Sequence, residues 1–221
     1  MHITGGNPHP IPQHLIIDDW YSEDELKRVW KELEFYTHDD KFESAIESGN
    51  VATNEKDEHL GEQKRIHLDQ MYTHDARRTN LSDILHFSTK VQSKDFHEAI
   101  KRCSPMFSRT FLQTNLTYSL LSYYENNHYY SPHHDIFFWT VLIWLYKEPK
   151  AFSGGDFIFA DKPFNNYRVE CKNNRLIAFP SYYLHGVETV NLPEDKRGKG
   201  LGRYTITHFF HYGPLGDAKN Y

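Results

Sequence analysis

The histidine and aspartate of the run Pro132-His133-His134-Asp135, with His185 further on, are the residues whose types and spacing best suit chemistry. In an extended segment alternate side chains share a face, so the stretch 130–137 brings His133 and Asp135 together and turns His134 away. One strand is therefore expected to supply two of three ligands. Two neutral imidazoles and one carboxylate leave one side of an octahedral metal open, a set suited to non-haem iron(II) and hence to oxygen chemistry. The chain has 15 histidines, so any one alone says little. The paired spacing and the strand pattern downstream favour His133, Asp135 and His185. His134, through a one-residue slip of register, and His208 or His211, in place of His185, stay open as alternatives. His9, His14, His38, His59, His67, His74, His86, His97 and His128 read as structural or solvated.

These residues need a scaffold, and its elements can be read along the chain. Residues 14–20 form a strand ending at an acidic pair. Ser22 then caps a helix through Lys31, with Glu25 in the capping-box position and Leu26, Val29, Trp30 and Leu33 as its apolar stripe. Residues 37–75 are polar, charged and weakly periodic, which predicts a long mobile loop of the kind that covers sites; the charged run 55–65 reads as a solvated face. Helices follow over 81–89 and 93–103, the second with Phe96, Ala99 and Ile100 on one face and Pro105 beyond its end. From Phe111 the pattern changes to strands at 111–124, 136–146, 155–160, 167–171, 175–179, 187–190 and 203–211, separated by Gly, Pro and Asn clusters. Helices followed by a dense run of strands predict a mainly β chain, α+β by content, whose second half is a sandwich or jelly roll on supporting N-terminal helices. A single domain over 1–221 is expected, divided into a strand, helices and loop over 1–110 and a β core over 111–221.

Composition narrows the setting. A chain of 221 residues with a formal charge of −5 shows no basic footprint, so no nucleic-acid partner is expected. The apolar run 137–146 is interrupted by Thr140 and is too short to span a bilayer, so it reads as a buried strand. Only Cys103 and Cys171 are present, and residues 1–13 carry neither a basic nor an apolar leader segment, which points to a reducing, cytoplasmic location without membrane attachment. The oligomeric state is not legible. An aromatic content of 15%, with 15 Tyr and 15 Phe, suits a pleated core.

Five ordered motifs carry a resemblance. The stretch Tyr124-Glu-Asn-Asn-His-Tyr-Tyr-Ser-Pro-His133-His-Asp135 comes first, then Thr140-Val-Leu-Ile-Trp144-Leu, Gly154-Gly155-Asp156-Phe-Ile-Phe, Asn174-Arg-Leu-Ile-Ala-Phe-Pro180 with His185-Gly-Val, and Arg203-Tyr-Thr-Ile-Thr207. Their order and strand placement resemble the iron(II)/2-oxoglutarate dioxygenases of the prolyl 4-hydroxylase type. The resemblance implies a double-stranded β-helix, iron(II) on His133, Asp135 and His185, and 2-oxoglutarate as co-substrate. It implies that Arg203 pairs with the far carboxylate of 2-oxoglutarate, a task for which a planar guanidinium offers two parallel N–H bonds. Thr207, an even number of strand positions on, can add a hydroxyl on the same face, with Thr205 a competing choice. Tyr124 matches a position whose phenol bonds the co-substrate. Where many relatives carry a second Tyr this chain has Trp144, able to pack against the co-substrate or donate its indole N–H. The implied reaction yields succinate and carbon dioxide and hydroxylates a C–H bond, with retention of Asp135 favouring hydroxylation over halogenation and ascorbate as a reductant. Prolyl residues of a peptide or protein are the first choice of substrate. A free amino acid or other small metabolite is the alternative, as is a non-catalytic jelly roll that binds a metal or ligand.

Overall fold

The computed structural model describes residues 11–38, 41–48, 51–72, 78–103 and 105–213; residues 1–10, with His9, and His74 lie outside them. The N-terminal half runs β1 (Leu15–Ile17), α1 (Glu23–His38), β2 (Glu43–Ser44), β3 (Gly61–Glu62), β4 (Lys64–His67), α2 (Leu68–Met71), α3 (Arg78–Leu81), α4 (Asp83–Ser88), α5 (Lys94–Cys103) and α6 (Pro105–Leu112). The C-terminal half is β5 (Leu116–Tyr124), β6 (Tyr129–His133), β7 (Trp139–Leu145), β8 (Ser153–Gly154), β9 (Phe157–Phe159), β10 (Tyr167–Val169), β11 (Arg175–Pro180), β12 (His185–Val187), β13 (Val190–Asn191) and β14 (Arg203–His211). A seven-stranded sheet in the order β1-β11-β7-β14-β5-β4-β2 faces a five-stranded sheet β10-β9-β12-β6-β3, the jelly-roll arrangement expected. Every strand pairing is antiparallel among the named strands.

Strand alternation divides the apolar residues into two cores. Leu121, Ile143, Tyr204 and Ile206 point from the seven-stranded sheet toward the helices, where Val29, Leu33, Ile84, Phe96 and Ile100 cover them. Tyr124, Leu142, Trp144, Phe157, Phe159 and Phe179 point the other way, into the space between the sheets. Each such aliphatic or aromatic side chain contributes roughly 1.5–3 kcal/mol on leaving water, so the helices are fixed by packing more than by propensity. All seven residues of β7 are buried because it has strands on both sides and a core on both faces.

Helix α1 begins as the capping box requires: Glu25 N donates to Ser22 Oγ at 3.4 Å and Ser22 N to Glu25 Oε2 at 2.8 Å. It continues past Lys31 to His38, because Leu33 and Tyr36 extend the buried stripe begun by Val29. Strand β5 begins at Leu116, since α6 carries the chain through Leu112 where a strand was expected from 111. Likewise β7 starts at Trp139, and residues 136–138 belong to a turn.

The larger correction concerns residues 37–75, expected to be a mobile loop. They supply strands to both sheets, β4 and the outermost β2 on one and the outermost β3 on the other, and bury Phe42, Ala45, Val51, Ile66 and Leu68. Two-residue strands are too short to show a period, and single apolar residues in a charged background hide the pattern. Arg65 holds the excursion down, donating from Nε to Ser48 Oγ at 2.7 Å and from Nη2 to Ala45 O at 3.0 Å. No helix among the described residues is long and apolar enough to cross a membrane.

Candidate metal and co-substrate site

His133 ends β6 and His185 begins β12, and the two face each other directly across this antiparallel pair. Asp135 lies two residues past the end of β6, not on the strand itself as the alternation argument supposed. Its place is set by the next turn, where Asp135 N donates to Ser181 O at 3.2 Å. The result is a compact trio: Asp135 Oδ1 is 3.5 Å from His133 Nε2, Asp135 Oδ2 is 3.4 Å from His185 Nε2, and the three ligand atoms lie within 4.8 Å of one another. It is the one such group among the described residues.

Both imidazoles are oriented by backbone carbonyls. His133 Nδ1 meets Ser131 O at 2.9 Å and His185 Nδ1 meets Tyr183 O at 2.7 Å. A carbonyl only accepts, so Nδ1 carries the proton in each neutral ring and leaves the Nε2 lone pair aimed at the centre of the trio. The aromatic ring of Tyr130 stacks on His133 with centroids 3.8 Å apart. Thr140 donates to Asp135 Oδ2 at 2.6 Å and shares a 2.8 Å hydrogen bond with Ser181, fixing the carboxylate from behind. Burial works against the Asp135 charge, yet the adjacent His185 and His133 outweigh it and hold the carboxyl well below the usual range. Burial lowers the pKa of His133, while for His185 the attraction of Asp135 exceeds the cost of burial and raises it. One buried carboxylate and two ordered imidazoles can hold one divalent cation.

A second group of polar atoms lies in the space between the sheets. Arg203, first residue of β14, is 0% exposed. Its guanidinium carbon sits 5.0 Å from the Tyr124 ring centroid and 5.4 Å from that of Trp144. Nη1 donates to Thr205 Oγ1 at 2.5 Å, while Nε and Nη2 have no protein partner, and neither does the buried Trp144 Nε1. Leaving a buried cation unpaired costs several kcal/mol, so this donor set is incomplete without an anion that accepts from several N–H groups. A carboxylate meets that need, and the residues present thus fit 2-oxoglutarate. Gly155 makes room for the arginine: at φ +73° it adopts a conformation that L side chains avoid, and an added Cβ would stand 3.1 Å from Arg203 Cδ.

Of the expected residues, then, His133, Asp135 and His185 converge, and Arg203, Tyr124 and Trp144 form a separate cluster. Of the two threonines it is Thr205 that bonds the guanidinium; Thr207 is buried farther along β14. His134 is exposed, its Nδ1 against Tyr182 O at 2.8 Å. His208 points to the other face of β14, bonded to Ser119 Oγ at 2.9 Å, and neither it nor His211 joins the trio. Sequence reasoning missed Tyr130, Ser181 and Thr140 as supports. For Thr140 a signal was present, since it is the lone aliphatic hydroxyl in an otherwise aromatic and aliphatic run.

Residues 118–211 match the family model of the 2OG-Fe(II) oxygenase superfamily. Among solved structures the chain is similar to a prolyl-4-hydroxylase from Pseudomonas putida, at 16% identity over 91% of this chain and 94% of that one, with a TM-score of 0.56. It is also similar to a prolyl hydroxylase from Trichoplax adhaerens in complex with a hypoxia inducible factor oxygen degradation domain peptide fragment, at 14% identity over 90% and 83% of the two chains, with a TM-score of 0.61. At such identities the likeness establishes the fold. No curated protein matches the chain. With the family match spanning β5 to β14, residues 118–211 are a 2OG-Fe(II) oxygenase domain, and the chain has the fold of the prolyl 4-hydroxylases.

Proposed function

We propose that the protein hydroxylates prolyl residues of a peptide or protein, with iron(II) held by His133, Asp135 and His185 and 2-oxoglutarate anchored by Arg203. The observation that carries this reading is the pairing of two incomplete sites. The trio offers metal ligands, and the buried Arg203 and Trp144 N–H groups lack acceptors. Iron(II) with 2-oxoglutarate and oxygen supplies oxidative decarboxylation to succinate and carbon dioxide coupled to hydroxylation of a C–H bond.

The protein's own residues do the positioning. Ser131 O and Tyr183 O keep the imidazole Nε2 atoms free for the metal, and Thr140 keeps the Asp135 carboxylate turned toward it. Arg203 Nε and Nη2 donate to the far carboxylate, with Trp144 Nε1 a third donor and the Tyr124 and Thr207 hydroxyls further contacts. Thr205, by accepting from Nη1, stops the guanidinium from turning away. The rings of Phe157, Phe159 and Phe179 exclude water from this space. Ascorbate would serve as reductant for turnovers that end without hydroxylation.

Support for a polypeptide substrate comes from the Trichoplax neighbour, which was solved with a peptide bound. We also read the chain as one domain, on the ground that helices α1, α4 and α5 share a core with the strands of the seven-stranded sheet, and as cytoplasmic, on the ground that Cys103 and Cys171 are both free thiols. The test is anaerobic titration of iron(II) and 2-oxoglutarate into the metal-free protein, followed by oxygen and a peptide panel with Pro or Ala at one position. The expected result is the visible absorption band of the chelate, its decay with succinate release, and a 16 Da mass gain on the Pro peptides alone. A folded protein that gives no band would refute the assignment; succinate release with equal oxidation of Ala peptides would refute the prolyl target.

A further inference from the structure

The surface beside the trio is apolar where a turn is ordinarily polar. In the turn between β6 and β7, Ile136 is 87% exposed and Phe138 50%, and in the turn between β11 and β12 Tyr182 is 56% exposed. These two turns are laced together. Asp135 N donates to Ser181 O at 3.2 Å and Ser181 N to Phe138 O at 3.0 Å, while His134 Nδ1 meets Tyr182 O at 2.8 Å. Phe138 also stacks on His211 at the end of β14, with centroids 5.3 Å apart. The exposed side chains therefore stand on a braced backbone, and the turn that carries them also carries Asp135. No Asp, Glu, Lys or Arg follows in 136–146, nor occurs in 176–187.

Large apolar side chains held out in water at one place mark a surface that something covers. Two observations say what. The patch is continuous with the trio through Asp135, so its occupant lies next to whatever reacts there. Beyond Asp135 its two turns also carry no formal charge, and the charge recorded beside it is that of Asp161 near Tyr182, so most of the patch offers an occupant apolar contact and not ion pairing. A second copy of the chain seated there permanently would lie against the turn that a substrate must approach.

We propose that Ile136, Phe138 and Tyr182 form a docking rim for an uncharged, apolar stretch of the polypeptide substrate adjoining the residue that enters the site. Target choice is then made partly by neighbouring sequence. This rests on the reading of the substrate as a peptide or protein. Preorganisation by the lacing bonds limits the ordering cost of binding, since only the peptide must be fixed.

The test uses the full-length protein and short fluorescein-labelled peptides with one central proline, flanked either by Leu, Ile and Phe or by Ser, Asn and Gln. Binding is followed by fluorescence anisotropy, without metal and with iron(II) plus 2-oxoglutarate under nitrogen. Wild-type protein should bind the apolar-flanked set at least about tenfold more tightly, and Ile136→Ser and Phe138→Ser should each weaken that binding about tenfold. Binding of the polar-flanked set should be unchanged, as should the chelate absorption band and the thermal melt of each variant. Equal binding of the two sets, no binding of either, or variants that bind like wild type would overturn the proposal. So would a sedimentation profile in which wild type is a dimer and the variants are monomers. The proposal and the function it rests on fail separately: selective peptide binding without succinate release would sink the function and spare the rim, and succinate release without flank selectivity would do the reverse.

Discussion

The two faces of β14 belong to one strand and obey opposite rules. Tyr204, Ile206 and Phe210 face the helices and are covered by apolar neighbours. Arg203 and Thr205 face the space between the sheets, where two guanidinium nitrogens remain without partners. One face maximises the stability of the isolated chain, and the other, on the proposed reading, gives stability up in order to hold an anion. Because side chains alternate, the two demands are met one residue apart without mixing.

That contrast can be broken by mutation. The largest effect lies off the strand and serves as its reference: His133→Ala or Asp135→Ala should abolish iron-dependent turnover, by about a thousandfold or more, while circular dichroism stays native. Next, Arg203→Met should weaken 2-oxoglutarate binding by about a hundredfold or more, because the far carboxylate loses a charge-assisted pair. The same variant should melt no lower than wild type in the absence of co-substrate, since an unpaired buried charge is replaced by an apolar chain of similar size. A clear drop in melting temperature would show that Arg203 has a structural partner and would erase the contrast. Ile206→Ala, on the opposite face and three residues away in sequence, should cost about 2–5 kcal/mol in urea unfolding and leave the co-substrate affinity of the folded protein unchanged.

The smallest effect concerns pH and the helix-facing side. Burial pushes His208 down to about 4. Its folded value lies below the ordinary one near 6.5, so the unfolded chain takes up the proton first, and stability present above that range is lost as pH falls toward 4. The loss attributable to this one group is at most about 3 kcal/mol. His208→Gln should flatten the dependence of unfolding free energy on pH between these limits, measured by urea titration, without moving the 2-oxoglutarate requirement. An unaltered slope would place the acid sensitivity elsewhere.

Much of this was legible in the sequence. The ladder spanning Arg203 to His211 and the capping box at Ser22 could be read because each is long or chemically marked, and the motif order led to the jelly roll. The convergence of His133 and Asp135 was read from their spacing and that of His185 from the motif order, although alternation placed Asp135 on a strand it does not occupy. What could not be read depends on contacts distant in the chain. The edge strands within 37–75 are too short for any period, and their burial is decided by Arg65 and by β5. The choice of Thr205 over Thr207 beside the guanidinium is a matter of rotamer, which even spacing leaves undecided.

Strand β14 lies between β7 and β5 in the seven-stranded sheet, and it is the last strand of the jelly roll in chain order. On a ribosome, the gap between those two strands therefore stays empty until residues 203–211 have emerged. The guanidinium proposed to anchor the oxidisable acid arrives with the same segment. On the proposed reading, a chain in which His133, Asp135 and His185 are already made still has no seat for the co-substrate until Arg203 is in place. Under that reading the redox chemistry waits for the strand that closes the gap in the sheet.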